Sequence, residues 1–411
     1  MAATELDTRA LLGGLVLAAC ALPGVMPADA HAEEAPERAV IAFKLSGYSE
    51  TQPSTGTDSA ESEAAGGRAR ALATTTGASG GGVGGSESGD ERMQVTSPSM
   101  YALVPIGRHW AVEGSLTVDD VSGASPTYYT DMAGAGTMQD RRTAFDAKLT
   151  RYFDRQSVAF GVSRSQETDY LSQAVSLEGR FATDDQNTTF NVGLGLSNDH
   201  IDPSNHKVDP QTRRTSEFQV GVTQAMSSRD LAQLSYTSSR ARGYLNDPYK
   251  LYDERPRGRN ADILQLRWNH WLGDSALKLG YRFYQDSYRV QAHTFELAWA
   301  VPVQRTVVFT PELRYHTQGA ASFYYDRDTT SPNYPAPDGS PTYYSSDQRL
   351  AAWGAVTLGA KLSWQFSPGW TADAKLDSYR QNTGWRLGGG GSPGLQPLSA
   401  LFWQLGLSHS F

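Results

Sequence analysis

The chain has 411 residues, with 44 Asp+Glu against 36 Lys+Arg, a formal net charge of −8, 20 Tyr, 14 Phe, 9 Trp and a single cysteine. That acidic balance, with no basic stripe, argues against nucleic acid as a partner, and one cysteine excludes an intrachain disulfide. Length alone would suit two or three soluble domains, but the order of the segments points to a different architecture.

Residues 1–30 read as an export signal. Arg9 precedes the apolar run ALLGGLVLAACALPGVM, and Ala28-Asp29-Ala30 or, equally, Ala30-His31-Ala32 offers a small-x-small cleavage site. Leu17-Ala18-Ala19-Cys20 resembles a lipobox, whose cysteine would carry lipid; the apolar run continues past Cys20 to an ordinary site, which favours a plain signal. Beyond it no run approaches the ~18 apolar residues that a membrane helix needs. A membrane-embedded mature chain, 31–411, must therefore be a closed barrel, because backbone polar groups cannot stay unpaired in lipid.

The mature chain is a succession of alternating segments punctuated by Gly, Pro, Asn and Asp. They run 39–48, 93–105, 109–120, 141–153, 157–165, 172–181, 187–197, 216–226, 231–241, 261–271, 275–285, 290–301, 306–316, 349–366, 370–379 and the terminal segment, about sixteen strands. Their connections alternate: 49–92, 121–140, 198–215, 242–260, 317–348 and 380–398 are long, whereas 106–108, 154–156, 227–230, 272–274, 302–305 and 367–369 are short. Two connections, 166–171 and 286–289, are modest where long ones fall due. A sandwich has no reason to place its long loops on one side of a meander. An outer-membrane barrel does, with tight periplasmic turns, free outer loops and, for an even strand number, both termini in the periplasm. The expected fold is thus all-β: a transmembrane, antiparallel, up-and-down barrel with short periplasmic turns and long extracellular loops.

Face composition agrees. One face carries Leu277, Leu279, Tyr281 and Phe283, then Phe295, Leu297 and Trp299, then Leu350, Val356, Leu358, Leu362 and Trp364. The other carries Gln265, Arg267, Asn269, Lys278, Arg282, Glu296, Glu312, Arg314, Thr371, Asp373, Lys375 and Asp377. An interior too wide for side chains to fill, and charged, implies water. Arg267, Lys278, Arg282 and Arg314 facing Glu296 and Glu312 on four consecutive strands are expected to form one charged ladder lining the lumen. Aromatics near segment ends (Tyr152, Phe153, Trp271, Trp364, Trp370, Phe411) suit interface girdles. Segment 49–90, rich in Gly, Ser, Ala and Thr, cannot bury enough apolar surface to fold alone and reads as a flexible first outer loop.

Several blocks also resemble a known family. SGASP (122–126), RYF (151–153), NTTFNVGLGLSNDHIDP (187–203), NDPYKLYDERPRGRN (246–260), AHTFELAW (292–299), YSSDQRLAAWGAVTLG (344–359) and the Gly-Ser-Pro-Gly of 391–394 stand in the order of the bacterial outer-membrane family called domain of unknown function 3570. The resemblance spans about residues 36–411 and departs mainly in the long 49–90. It implies an integral barrel of a Gram-negative outer membrane, in contact with lipid and lipopolysaccharide, and supplies no reaction, cofactor or catalytic residue. The ending LFWQLGLSHSF resembles a barrel-assembly signal: Gln404, Gly406 and Phe411 fit, and His409 stands where an aromatic or aliphatic residue is usual. The assembly machinery is the partner so implied.

No enzyme pattern stands out. Asn198-Asp199-His200 could activate water, but also reads as a turn cluster. His409 and Ser410 point to opposite faces, as do His293 and Glu296, and His270 faces lipid near a turn. No HExxH or EF-hand pattern occurs; Asp326-Arg327-Asp328 and Asn333 through Asp338 read as a solvated loop rather than a Ca²⁺ site. The loop holding Tyr249, Tyr252, Asp253, Glu254, Arg255, Arg257 and Arg259 could fold inward as a constriction, pack on neighbouring loops or bind lipopolysaccharide phosphates; loop packing is favoured. The functions open at this point are a pore for small polar solutes, a plugged structural or export-partner barrel, and, less favoured, a hydrolase.

Residues 49–90 are expected outside the cell. Protease added to intact cells should nick this segment without unfolding the barrel; cleavage only after the outer membrane is opened would reverse the topology.

Overall fold

The strands of a computed structural model close on themselves with no free edge. It describes residues 35–52, 90–123, 138–250, 252–326 and 337–411. The expected signal 1–30 with both candidate cleavage sites and Cys20, most of 49–90, and Arg327, Asp328 and Asn333 lie outside the described residues.

The first half of the wall comprises β1 (Val40–Gln52), β2 (Asp90–Ile106), β3 (Trp110–Gly123), β4 (Met138–Tyr152), β5 (Gln156–Gln166), β6 (Tyr170–Ala182), β7 (Thr188–Ile201) and β8 (Gln211–Ala225). The second half comprises β9 (Asp230–Gly243), β11 (Gly258–Trp271), β12 (Ala276–Asp286), β13 (Gln291–Gln304), β14 (Val307–Gln318), β16 (Trp353–Ser367), β17 (Trp370–Asn382) and β18 (Leu398–Ser410). These sixteen strands pair antiparallel in chain order. Two-residue strands β10 (Asp253–Glu254) and β15 (Tyr344–Ser345) pair with each other in the outer loops.

The seam lies between β1 and β18, registered from Val40 opposite Ser410 to Thr51 opposite Ser399. It extends one residue further, because Ala39 N–H donates to the Phe411 carbonyl and Phe411 N–H to that of Ala39, both at 3.0 Å. Every wall strand thereby has two partners, which is the condition for crossing lipid.

One rim carries only short turns: 107–109, 153–155, 183–187, 226–229, 272–275, 305–306 and 368–369. In one of the two two-residue turns, Pro368 fixes its own φ and Gly369 supplies φ +78°, a combination that suits so short a reversal. Pro302, which has no N–H to give to a ladder, falls at a register shift near this rim. The opposite rim carries 202–210, 383–397 and the described parts of 244–257 and 319–352, with 167–169 and 287–290 as its short members.

The convex face is apolar. Leu196, Leu358 and Leu405 are 58%, 61% and 53% exposed, amid a continuous belt of Phe, Leu and Val from neighbouring strands. A belt of this extent would aggregate in water and is at home only in lipid. At the short-turn rim aromatics meet in series: Trp364 and Phe366 (5.5 Å) and Phe366 and Trp370 (6.2 Å) at tilted angles, then Trp370 stacked on His409 (4.2 Å) and His409 on Phe411 (5.5 Å). His409 therefore joins the girdle as a flat ring, which accounts for a histidine at that place. The wall is that of an integral outer-membrane barrel.

Two local readings need correction. The segment expected to be a strand from residue 349 begins as a 3-10 turn at Gln348–Leu350, and β16 starts at Trp353. Leu350, assigned above to the lipid face, is 2% exposed, packed with Tyr288, Val290 and Ala321 beneath the outer loops. Asn198-Asp199-His200 is no turn either, since β7 continues to Ile201.

Phe411 holds the last pair of seam hydrogen bonds and the end of the aromatic series. Its deletion, or Phe411→Asp, should lower the yield of heat-modifiable barrel severalfold and send precursor to degradation; normal surface levels would count against this role.

Candidate functional site

The concave face of β11–β17 is where charge collects. On β14 Leu313 and Phe309 point to lipid, so Glu312 and Arg314 point inward, and the same alternation turns Arg267, Lys278, Arg282 and Glu296 to the inner wall. Glu296 and Arg314 are cross-strand partners and form an ion pair, Arg314 Nε to Glu296 Oε1 at 3.5 Å, with 40% and 48% of the side chains exposed. Glu312 does not join them. Its partner on β16 is Gly359, and over that gap Lys375 of β17 reaches Glu312 at 2.8 Å and Asp377 at 3.2 Å. A bridge that skips a strand in this way can form only on the concave side. Lys361 and Asp373 approach at 3.7 Å lower down.

The single expected ladder is therefore two groups. Lys278 has no ion pair among the described residues. Arg282 lies over the Tyr284 ring at 5.7 Å, and Arg267 lies beside the Gln265 side-chain amide on its own strand. The extension to Lys361 and Lys375 has no signal in the pairing of adjacent strands, because glycine on an inner face lets side chains meet across it. Glu296 lies against Gly280, Asp377 against Gly359 and Asp373 against Gly406, in each case its direct register partner. A Cβ on Gly280 would stand 3.0 Å from Glu296 Oε2. These carboxylates lie flat on the wall and leave the space in front of it clear. Gly406, assigned above to barrel assembly, thus also has a packing role, and Gln404 stands two residues from it on the same inner face.

The opposite wall is charged as well. Lys148 pairs with Glu113 at 3.2 Å, Arg142 with Asp119, and Arg213 with Asp199 at 2.7 Å. Asp199 also accepts from Ser172 Oγ at 2.7 Å, while exposed His200 points the other way. The Asp199–His200 pair considered as a water activator is thereby split between two faces. His270 on the lipid side bonds Asp230 at 2.7 Å and stacks on Trp268.

At the outer mouth the loops fold over the inner wall. β10 and β15 join loop 244–257 to loop 319–352, and Ser346 N–H donates to the Tyr252 carbonyl at 2.7 Å. Inward Gln318 holds the carbonyls of Arg349 and Ala351 at 2.9 and 2.7 Å. Ala352 N–H donates to Ser392 Oγ at 2.9 Å, which ties in loop 383–397. On the other side Tyr249 donates to Asp169, and Asn205 Nδ2 donates to the Pro248 carbonyl at 2.9 Å. The loop of Tyr249 to Arg259 therefore packs on its neighbours, as favoured above.

Asp347 centres this cap. It is fully buried and accepts from Arg255 Nη2 at 2.6 Å and Arg349 Nη2 at 2.5 Å; Arg349 also meets Asp247 at 2.6 Å, and Arg255 meets Asp253 at 2.8 Å. Burial alone would raise the Asp347 carboxyl, but the charges of Arg349, Arg255 and Lys250 hold it well below the ordinary range. For Asp253 burial prevails over its single arginine and pushes the carboxyl up.

Two further features flank the site. Carboxylate oxygens of Asp140, Glu167 and Asp169 lie within 4.8 Å of one another at the outer rim, but Asp140 already accepts from Thr168 and Asp169 from Tyr249. A groove of about 440 Å³ on the lipid side, lined by Leu266, Trp268, Leu279, Tyr281, Phe295 and Leu297, suits an acyl chain and not a polar solute.

A family model described as a protein of unknown function (DUF3570) matches residues 12–212 and 204–402. No curated protein matches the sequence. Solved structures that resemble the chain include one titled bacterial polysaccharide outer membrane secretin, at 9% identity, covering 90% of this chain and 98% of that one, with TM-score 0.45. Others are a Pseudomonas aeruginosa FadL homologue (12%, 91% and 90%, TM-score 0.39) and CymD, titled a monoaromatic hydrocarbon channel (10%, 91% and 89%, TM-score 0.40). Likeness at this level carries nothing about cargo.

Removing the centre of the cap should loosen it without opening the wall. Asp347→Ala takes from Arg255 and Arg349 the buried carboxylate they share and leaves each with one acid, Asp253 and Asp247, at a cost of roughly 3 kcal/mol. Amide exchange across 344–352 should speed up strongly while the wall strands stay protected; unchanged protection there would mean that the ion cluster is dispensable.

Proposed function

The chain belongs to the DUF3570 family, and for this member we propose a water-filled outer-membrane channel that passes small polar solutes passively. The observation that supports this most is the state of the Glu296–Arg314 pair: two charges on the inner wall, each about half exposed and 3.5 Å apart. In a dry interior an imperfectly paired ion costs several kcal/mol. Water in the lumen removes that cost and leaves charges that bias ion passage. The reading makes the chain a conduit and not an enzyme, in keeping with the separation of Asp199 from His200.

A second reading has its own support. The cap around Asp347 is built like a small protein core, with Ser345, Ser346 and Asp347 fully buried, and such a structure also suits a barrel kept closed. The two readings part on conductance.

Well-folded protein in planar bilayers should conduct. Replacing Arg282 and Arg314 with Glu should shift the reversal potential toward cations with little loss of folded protein. Absence of conductance in the wild type, or unchanged selectivity in the double variant, would favour the closed barrel.

A further inference from the structure

The outer edge of the lipid-facing belt carries a row of polar side chains over five strands. Arg164 of β5 is in register with Gln173 of β6, Gln173 with Asn198 of β7, Asn198 with Arg214 of β8, and Arg214 with Arg242 of β9. All five are exposed and lie on the convex face. One step toward the short-turn rim β5, β6 and β7 carry Val162, Val175 and Leu196, which are 39%, 43% and 58% exposed to the membrane, whereas β8 and β9 carry Ser216 and Arg240 there and turn apolar at Phe218 and Tyr236. The row therefore stands at the edge of the apolar belt on β5 to β7 and just outside it on β8 and β9.

Its charge is not balanced by the protein. Arg214 and Arg242 stand directly opposite each other, an arrangement that destabilises a sheet when both side chains are cationic. Among the described residues none of Arg164, Arg214 and Arg242 has a carboxylate within ion-pair distance. Their hydrogen bonds go to neutral amides: Arg214 Nε to Asn198 Oδ1 at 3.4 Å, and Arg164 Nη2 to Gln166 Oε1 at 3.0 Å. The contrast lies two residues below Arg242, where Arg240 has Asp262 on the adjoining strand at 3.7 Å. The sheet supplies an acid for Arg240 and, among the described residues, none for the row above it.

Guanidinium groups bind phosphate through paired N–H donors, and long arginine stems let the heads reach the interface from an apolar wall. With strands about 4.8 Å apart, Arg214 and Arg242 are close enough to share one phosphate, and Arg164 lies roughly 14 Å along the row, within reach of a second group on a large headgroup. We propose that Arg164, Arg214 and Arg242, with Gln173 and Asn198 between them, form a binding site for the phosphate groups of outer-leaflet lipopolysaccharide, which supplies the anion that the Arg214–Arg242 pair lacks. The site is independent of whether the lumen conducts.

The test uses the full barrel in detergent, titrated with lipopolysaccharide and read by native mass spectrometry. Phosphorylated lipopolysaccharide should bind wild type at least about tenfold more tightly than enzymatically dephosphorylated lipopolysaccharide, since hydrogen bonds to charged groups contribute about this much each. Arg214→Gln/Arg242→Gln should lose a similar factor, Arg164→Gln less, and Arg305→Gln at a short turn on the other rim nothing. Inorganic phosphate at equal concentration should not compete, because one free ion cannot span the row. Equal binding of the two lipid forms by wild type, which needs no variant to fold, would overturn the proposal. So would unchanged binding by the heat-modifiable double variant, or full competition by free phosphate.

Discussion

The structure depends on one constraint, that every backbone N–H and C=O within lipid must find a partner inside the protein. The β1–β18 seam meets it, with Phe411 and Ala39 exchanging the final two hydrogen bonds. Once the sheet closes, its alternation divides each strand between two solvents. Leu279, Leu297 and Leu313 go to lipid, and Lys278, Glu296 and Glu312 go inside. With sixteen strands the inner residues cannot fill the space they enclose, which is why charges there stay near the wall, paired over glycines, and do not form a packed core.

Packing of the soluble-protein kind moves instead to the outer mouth. Tyr288, Val290, Ala321 and Leu350 form one small cluster, and Ala351, Trp353, Ala355 and Leu395 form another. Between them Asp347 joins Arg255 and Arg349 from loops that are far apart in sequence. The two ends of the barrel thus solve different problems: the short-turn rim anchors the wall with stacked aromatics, while the long-loop rim builds a tied cap.

Most of the wall was legible in the sequence because period-two alternation, turn residues and loop lengths are local signals. All sixteen segments correspond to wall strands, and the differences lie at strand ends on the long-loop rim and in contacts across the inner wall. Leu350 looked like the start of a lipid-facing strand because its spacing matched Val356 and Leu358, yet the cap bends the chain there. Lys375 reaching Glu312 across Gly359, and Asp347 meeting Arg255, rest on contacts between distant segments, for which one sequence carries no period. The arginine row of β5, β8 and β9 needed exact register before its continuity could be seen.

The central claim, a wet charged lumen within a lipid-facing wall, is tested most directly by thiol accessibility at neighbouring residues of β16. Thr357 faces inward beside Arg314, and Leu358, 61% exposed, faces lipid. In a Cys20→Ser background, Thr357→Cys and Leu358→Cys barrels in liposomes would be treated with a small membrane-impermeant thiol reagent. The account predicts rapid labelling of the inward cysteine and none of the outward one. A silent residue 357, or labelling at 358, would contradict it.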